Sequence, residues 1–212
     1  MSEVSAQQVK DLREKTGAGF MDCKAALRES GGDFEGAVRY LREHGLAAAA
    51  KKAGRVTTEG LISSYIHAGG KIGVLIEVAC ETDFVARTDA FQQLVRDLAM
   101  QVAAASPLYV GKDDVPAAEL AREREIYTAQ AAQSGKPAPV IAKMVDGKLE
   151  KYAAEVCLLE QDYIKEPGKA VRQVIAGAIA KLGENVTVRR FVRFRLGEGI
   201  DQSKGDDGKP EA

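Results

Sequence analysis

The run from residue 80 to residue 87 reads Cys-Glu-Thr-Asp-Phe-Val-Ala-Arg and places an acidic side chain, Asp83, beside a large apolar ring, Phe84. An acid and a ring presented together on a firm turn can push into another protein as a wedge. The alternative is that Asp83 or Thr88 caps a helix and that Phe84 folds back onto the core. The local sequence leaves both interpretations open. We call residues 81–87 the wedge turn.

Side chains suited to covalent catalysis or metal binding are few. The two histidines, His44 and His67, fall at a predicted helix end and in a predicted hairpin, which gives no basis for a metal cluster or a Ser-His-Asp constellation. Cys80 has no neighbouring histidine or cation to activate its thiol, so we interpret it as a small buried strand residue. No Gly-x-x-x-x-Gly-Lys-Ser/Thr loop occurs. We expect neither an enzyme nor a bound cofactor or metal.

The composition limits the class of protein. The chain has 212 residues, of which 45% are hydrophobic, enough for one good-sized domain or for a small domain plus a larger one. Its 30 Lys and Arg residues balance 31 Asp and Glu residues, so no general field attracts a polyanion such as a nucleic acid. The three cysteines form no Cys-x-x-Cys pair, and no apolar run approaches membrane length. We expect a soluble cytoplasmic protein with reduced thiols.

Two elements must position the wedge turn, a strand before it and a helix after it. Apolar residues alternate before the turn, at Ile72, Val74, Ile76, Val78 and Cys80. After the turn they recur at helical spacing, at Phe91, Leu94, Val95, Leu98, Ala99 and Val102. A second strand over residues 61–67 precedes the first, and Ala68-Gly69-Gly70 predicts a hairpin between them. Phe84 is therefore predicted on a strand-to-helix turn.

Residues 1–50 predict three short helices. Ser5 and Gln8 can form a capping box at the first helix, and Asp33 can cap the third, which is predicted to end before His44-Gly45. Residues 51–59 are predicted as a linker. We interpret the cations Lys51, Lys52 and Arg55 there as a solvated connector rather than a phosphate-binding site.

The second half predicts helices and a final strand. Helices are expected over residues 116–132, from Pro137 to just before Gly147, and along the apolar stripe of residues 171–182. After Gly147, helical spacing continues at Leu149, Tyr152, Ala153 and Val156. Residues 60–196 are therefore predicted as an α+β core, a small antiparallel sheet packed against helices. Residues 197–212 are rich in Gly, Asp and Lys, which predicts a disordered tail.

The final strand suggests a second hypothesis of function. We predict a mostly apolar face made of Val186, Val188, Arg190, Val192, Phe194 and Leu196. The other face is predicted to be basic and partly aromatic, with Thr187, Arg189, Phe191, Arg193 and Arg195. Arginines around an exposed ring are typical of single-stranded nucleic-acid binding, so a translation-associated RNA-binding module is the alternative. The balanced net charge argues against this alternative, so we expect no direct binding of nucleic acid.

Several motifs together resemble the elongation factor Ts family. They are Thr-Gly-Ala-Gly at residues 16–19 followed by Phe-Met-Asp-Cys-Lys, Lys-Lys-Ala at 51–53, the wedge turn, and Gly-Lys-Pro at 135–137. The resemblance covers residues 1–200. It implies a guanine-nucleotide exchange factor for elongation factor Tu. It also implies an N-terminal three-helix module of ubiquitin-associated (UBA-like) type over residues 1–50, followed by a dimerisation-type core.

The resemblance also assigns residues that contact the partner. It implies that Asp83 and Phe84, with Thr82 and Val85 beside them, contact the nucleotide-binding domain of elongation factor Tu and accelerate GDP release near the nucleotide and its magnesium ion. It implies a second contact from three residues of the N-terminal module: Arg13, Phe20 and Met21. Members of the family often have Met-Met at the last two positions, so Phe20 is a departure. From the residues alone, Phe20 and Met21 could equally seal the small helical bundle.

The length of the chain bears on its assembly. Long members of the family add a helical hairpin and a duplicated core, and the residues between Val102 and Arg172 are too few for both. We therefore interpret the chain as a short bacterial form. Short forms can pair so that two copies present two core halves, so the resemblance implies a homodimer, which the residues themselves do not indicate.

Overall fold

The computed structural model describes residues 4–199, apart from the side chains of Leu46 and Ala48. The elements, in chain order, are α1 (Ala6–Thr16), α2 (Phe20–Glu29), α3 (Phe34–Lys52), β1 (Glu59–Ile66), β2 (Ile72–Cys80), α4 (Asp83–Ala86), α5 (Asp89–Ala105), α6 (Ala117–Ala132), α7 (Ala138–Val156), α8 (Val171–Leu182) and β3 (Val186–Arg195). Single 3-10 turns lie at Lys112–Asp114 and Leu158–Glu160. Most of the predicted disordered tail, residues 200–212, lies outside the described residues. None of the helices in the described part is long and apolar enough to cross a membrane.

Helices α1, α2 and the first half of α3 enclose a small core of their own. Ser5 and Gln8 form the predicted capping box, and Asp33 accepts from Gly36 N at 2.9 Å at the start of α3. Gly17, with a φ of 68°, ends α1 in the left-handed conformation that glycine adopts without a steric penalty. The buried side chains of this core are Val9, Leu12, Cys23, Ala26, Leu27 and Ala37. A UBA-like arrangement for these helices stays a prediction.

Helix α3 is longer than predicted. It continues through His44 and Gly45 to Lys52, and Ala49 is buried in the main core. Gly45 packs close to α8, where a Cβ built on it would lie 3.4 Å from the Cβ of Ala180. A glycine inside a helix costs about 1 kcal/mol relative to alanine, and packing against α8 offsets that cost. The connection between α3 and β1 is therefore residues 53–58, and the first two linker positions are helical.

The sheet has the order β1-β2-β3 and both pairings are antiparallel. The hairpin at residues 68–70 is confirmed, and Gly69 and Gly70 have φ values of 89° and 68°. Helices α5 and α8 cover one face of the sheet, where Ile76, Val78 and Phe91 are at most 1% exposed. The α+β class predicted from the sequence is confirmed.

A β-bulge in β3 overturns the predicted faces of that strand. Val78 pairs with Val188 but Glu77 pairs with Arg190, so Arg189 is an extra residue. Each residue after a bulge faces the opposite side from the one that simple alternation predicts. Phe191 therefore faces the core, and so does Arg193. Arg193 Nε donates to Ala103 O at 3.3 Å.

The bulge also removes the surface on which the RNA-binding alternative depended. Phe191 packs against the core cluster and the Arg193 side chain is only 12% exposed, so the arginines and the ring do not share an outer face. The exposed face carries Val192, Phe194 and Leu196 instead. The predicted basic, aromatic outer face is wrong.

Helices α6 and α7 form a helical hairpin, and α7 is longer than predicted. Helix α7 continues through Gly147 to Val156, so the predicted end before Gly147 is wrong, whereas the helical spacing predicted from Leu149 to Val156 is confirmed. At the base of the hairpin, Tyr152 and Tyr109 both donate hydrogen bonds to Glu119, which lowers the pKa of that carboxyl group. The hairpin fits within this chain because the described residues contain one three-stranded sheet and no duplicated core.

Candidate functional site

The wedge turn forms one short helix between the last residue of β2 and the first turn of α5. Thr82 caps α4, since its Oγ1 accepts from Val85 N at 3.3 Å. Thr88 caps α5 in the same way, accepting from Phe91 N at 3.3 Å. Two threonine caps six residues apart thus stop one helix and start the next. The predicted strand-to-helix turn is present.

The ring of Phe84 points into solvent. Its side chain is 77% exposed, whereas the next two residues, Val85 and Ala86, are each 5% exposed and belong to the main core. Successive residues of one helical turn point in different directions, so burying Val85 and Ala86 turns Phe84 outward. The ring does not fold back onto the core of its own chain.

Asp83 lies on the exposed side of the same turn. Its Oδ2 accepts from Arg87 at 2.9 Å, and the two side chains are 62% and 81% exposed. An ion pair this exposed contributes little to stability, because solvent and salt screen it. Asp83 is therefore accessible to a donor on another molecule.

The backbone of the wedge turn is bound by a residue that is distant in sequence. Glu184, in the turn between α8 and β3, accepts from the backbone of Glu81 at 3.1 Å and of Thr82 at 3.0 Å. Its other oxygen accepts from the Thr82 hydroxyl at 2.6 Å. In return, Glu81 accepts from the backbone N–H of Asn185 at 2.6 Å. The two turns therefore satisfy each other's backbone donors.

Cys80 lies directly under the wedge turn and is fully buried. Its thiol donates to Thr82 O at 3.2 Å. Burial, together with the nearby Glu184 carboxylate, raises the pKa of the Cys80 thiol to about 11. The thiolate is the nucleophilic form of cysteine, so the raised pKa disfavours nucleophilic chemistry at this side chain. Cys80 is a buried strand residue, as its place in the alternating apolar pattern predicts.

The three residues predicted in the N-terminal module lie around the junction of α1 and α2. Arg13 is exposed in the last turns of α1. Phe20 and Met21 begin α2 and are 48% and 70% exposed. Neither apolar side chain belongs to the buried cluster of the three helices, so they do not seal the bundle.

The end of α8 connects these two predicted surfaces. A Cβ built on Gly17, three residues before Phe20, would lie 3.2 Å from Lys181 Nζ. Three residues after Lys181, Glu184 binds the wedge turn. One short stretch, residues 181–184, therefore contacts the α1–α2 turn and the wedge turn.

Sequence reasoning missed Glu184 and Asn185. Both follow Gly183, which ends α8 with a φ of 80°, so they resemble ordinary turn residues. The only local signal is a carboxylate and an amide placed between a glycine cap and a strand. Nothing in the sequence links them to a turn about a hundred residues earlier.

Comparisons with known proteins agree on one family. A family model described as Elongation factor TS matches residues 42–198. A protein named Elongation factor Ts from Carboxydothermus hydrogenoformans is 58% identical over 203 residues, which are 96% of this chain and 94% of that protein. Proteins of the same name from Thermoanaerobacter sp. (59% identical over 96% of this chain and 100% of the relative) and Geobacter sulfurreducens (58% over 96% and 94%) are similarly close. The chain therefore belongs to the elongation factor Ts family.

Proposed function

We propose that this chain is the guanine-nucleotide exchange factor of elongation factor Tu and that Asp83 and Phe84 accelerate GDP release. Family membership carries the general function, exchange of guanine nucleotide in translation elongation. The observation that supports the wedge is an aromatic ring 77% exposed on a turn whose next two residues, Val85 and Ala86, are buried. Exposed rings on rigid turns are typical anchors for a partner protein.

The energetics of GDP binding make such a wedge sufficient. A nucleotide's phosphates are held by backbone N–H groups at a helix N-terminus and by a magnesium ion, and small shifts of those elements weaken the site. A ring inserted between elements of the partner shifts them, so the factor and the nucleotide bind antagonistically. A tenfold faster release requires about 1.4 kcal/mol at the barrier. One anchoring aromatic side chain contributes about 2 kcal/mol or more.

The second contact comes from the N-terminal module. Phe20 and Met21 form an apolar pair at the start of α2, and Arg13 adds a cation at the end of α1. An apolar patch rimmed by charge is suited to protein binding rather than to catalysis. Two separate contacts on one partner increase the affinity, because the second one forms within the complex. No covalent step by this chain is required, and the activity takes place in the cytoplasm.

One face of the sheet, which no helix of residues 4–199 covers, supports a homodimer. Its exposed apolar side chains are Ile62, Ile66, Leu75, Val192, Phe194 and Leu196. These side chains are neighbours on the same face of the sheet. Ile66 and Phe194 lie on either side of Gly73, and Val192 pairs with Leu75. Exposed apolar side chains grouped on one face in this way are typical of an interaction surface. A second copy would cover it with the same face, related by a twofold axis.

Mixing experiments test the exchange function directly. Elongation factor Tu loaded with a fluorescent GDP analogue is mixed with this chain while analogue release and the mass of the complex are followed. We expect faster release that increases with the concentration of this chain, a complex with elongation factor Tu, and dissociation of that complex by excess GDP. Unchanged release together with no complex would contradict the proposed function.

A further inference from the structure

Glu184 and Asn185, in the turn between α8 and β3, bind two segments that are distant in sequence. Glu184 accepts three hydrogen bonds from Glu81 and Thr82. Asn185, which is 2% exposed, donates from its side chain to Arg55 O at 2.9 Å and to Ala53 O at 3.4 Å. The wedge turn and the chain that leaves α3 are therefore both held by this turn.

Glu184 is linked through the Thr82 hydroxyl to α4, the helix that carries Phe84. Glu184 accepts a hydrogen bond from the Thr82 hydroxyl at 2.6 Å, which leaves the lone pairs of that oxygen free to accept from the N–H of Val85. Val85 directly follows Phe84 in the one-turn helix α4. The carboxylate thus fixes the rotation of the hydroxyl that caps the helix carrying the ring.

A helix as short as α4 does not maintain its own conformation. One turn fixes several backbone dihedral angles for a single hydrogen bond, so it is unfavourable without outside contacts. Part of the stabilisation of α4 comes from the burial of Val85 and Ala86. These two side chains pack on the core side of the turn, opposite the exposed ring of Phe84. At residues 81 and 82, where the chain enters the wedge turn, the backbone N–H groups are bound by the Glu184 carboxylate.

We propose that Glu184 and Asn185 are positioning residues for nucleotide exchange, an inference that rests on the proposed role of Phe84. Glu184 holds the entry of the wedge turn so that the ring meets the partner in one orientation. Asn185 fixes the same turn to the chain leaving α3, and thus to the N-terminal module. An anchor that is already ordered loses less conformational freedom on binding and delivers more of its contact energy to the partner.

A double-mutant cycle between Glu184 and Phe84 tests this inference. We expect Glu184→Ala to lower the maximal rate of stimulated GDP release about tenfold, equivalent to about 1.4 kcal/mol at the barrier. In a Phe84→Ala background the same change should lower the rate less than about twofold, because no ring remains to be positioned. Glu184→Gln, which keeps a carbonyl oxygen, should fall between wild type and Glu184→Ala. Glu125→Ala, an exposed acid on α6, is the matched control.

The outcomes separate this inference from the proposed function. If Phe84→Ala alone leaves stimulated release unchanged, the wedge assignment fails and the positioning role fails with it. If Phe84→Ala slows release but Glu184→Ala does not, or if Glu184→Ala is equally harmful in both backgrounds, only the positioning role is overturned. Should Glu184→Ala fail to fold, the cycle is run with Glu184→Gln and the same criterion applies.

Amide hydrogen exchange gives a readout that does not depend on the partner. We expect Glu184→Gln to accelerate exchange at the backbone amides of Glu81 and Thr82, because the charged acceptor is lost. The amide of Val78, in the centre of the sheet, should exchange as in wild type. Unchanged exchange at both Glu81 and Thr82 would contradict the positioning role.

Discussion

Thr82 and Glu184, 102 residues apart in the chain, are joined by two hydrogen bonds, one from the Thr82 backbone at 3.0 Å and one from its hydroxyl at 2.6 Å. This pair connects the loop after α8 to the cap of the helix that presents Phe84. The ring is therefore an exposed group on a constrained backbone. That combination distinguishes it from exposed apolar residues on unsupported loops.

The hydroxyl of Thr82 should matter more than its bulk. Thr82→Val keeps the shape of the side chain but loses the cap of α4 and the bond to Glu184, so we expect a loss of about 1 kcal/mol of stability and slower stimulated GDP release. Thr82→Ser keeps both bonds and should behave nearly as wild type. Thermal unfolding and nucleotide release measure the two effects, and equal behaviour of the Val and Ser variants would refute this role.

Asn185 should stabilise the junction between the two parts of the chain. Asn185→Ala removes the donor to two carbonyl oxygens, those of Ala53 and Arg55. A hydrogen bond contributes about 0.5–1.5 kcal/mol net, so we expect the loss of these two bonds to lower the free energy of unfolding, measured with urea, by about 1–3 kcal/mol. A change within about 0.5 kcal/mol, the usual range for surface substitutions, would show that the bonds are dispensable.

Tyr163 should make stability depend on pH in the alkaline range. Burial, and then the Asp97 carboxylate that accepts from its hydroxyl at 3.2 Å, raise the pKa of Tyr163 to about 12. Below about pH 10 the side chain is protonated in both the folded and the unfolded state, and no stability is lost. Between about pH 10 and about 12 only the unfolded chain ionises, so the free energy of unfolding falls.

The variant Tyr163→Phe isolates that contribution. It lacks the ionising hydroxyl, so its free energy of unfolding should fall less steeply than that of wild type over this alkaline range. Other tyrosines titrate equally in both proteins and cancel in the comparison. Parallel curves for the two proteins would disprove the assignment to Tyr163.

The exposed sheet face should control assembly. Phe194 is 68% exposed in a row with Gly73 and Ile66, so Phe194→Glu would place a charge within the proposed interface. We expect a dimer of the wild-type chain and a monomer of the variant by analytical ultracentrifugation, because burying an unpaired charge is costly. Leu108→Glu, an equally exposed residue outside the sheet, should remain dimeric. A monomeric wild-type chain would rule out the homodimer.

Features set by neighbouring residues could be predicted from the sequence. The capping box at Ser5, the cap at Thr88, the glycine hairpin and the turn carrying Phe84 all depend on residues within a few positions of each other. Their physics is local, so spacing and residue type identify them.

Features set by tertiary contacts could not be predicted in this way. Helix α3 continues past Gly45 because α8 packs against it, and one bulged residue, Arg189, turns Phe191 towards the core. The partners of Glu184 are brought together only by folding. Periodicity contains no information on any of these three relationships.

The most direct test of the account is the rate of labelled GDP release from elongation factor Tu in the presence of Phe84→Ala. Since the ring is 77% exposed, the substitution should leave the thermal unfolding midpoint nearly unchanged. We expect stimulated release to slow about tenfold or more, whereas Leu108→Ala, an exposed apolar residue away from both predicted surfaces, should act as wild type. Wild-type release by a folded Phe84→Ala variant would contradict the central claim.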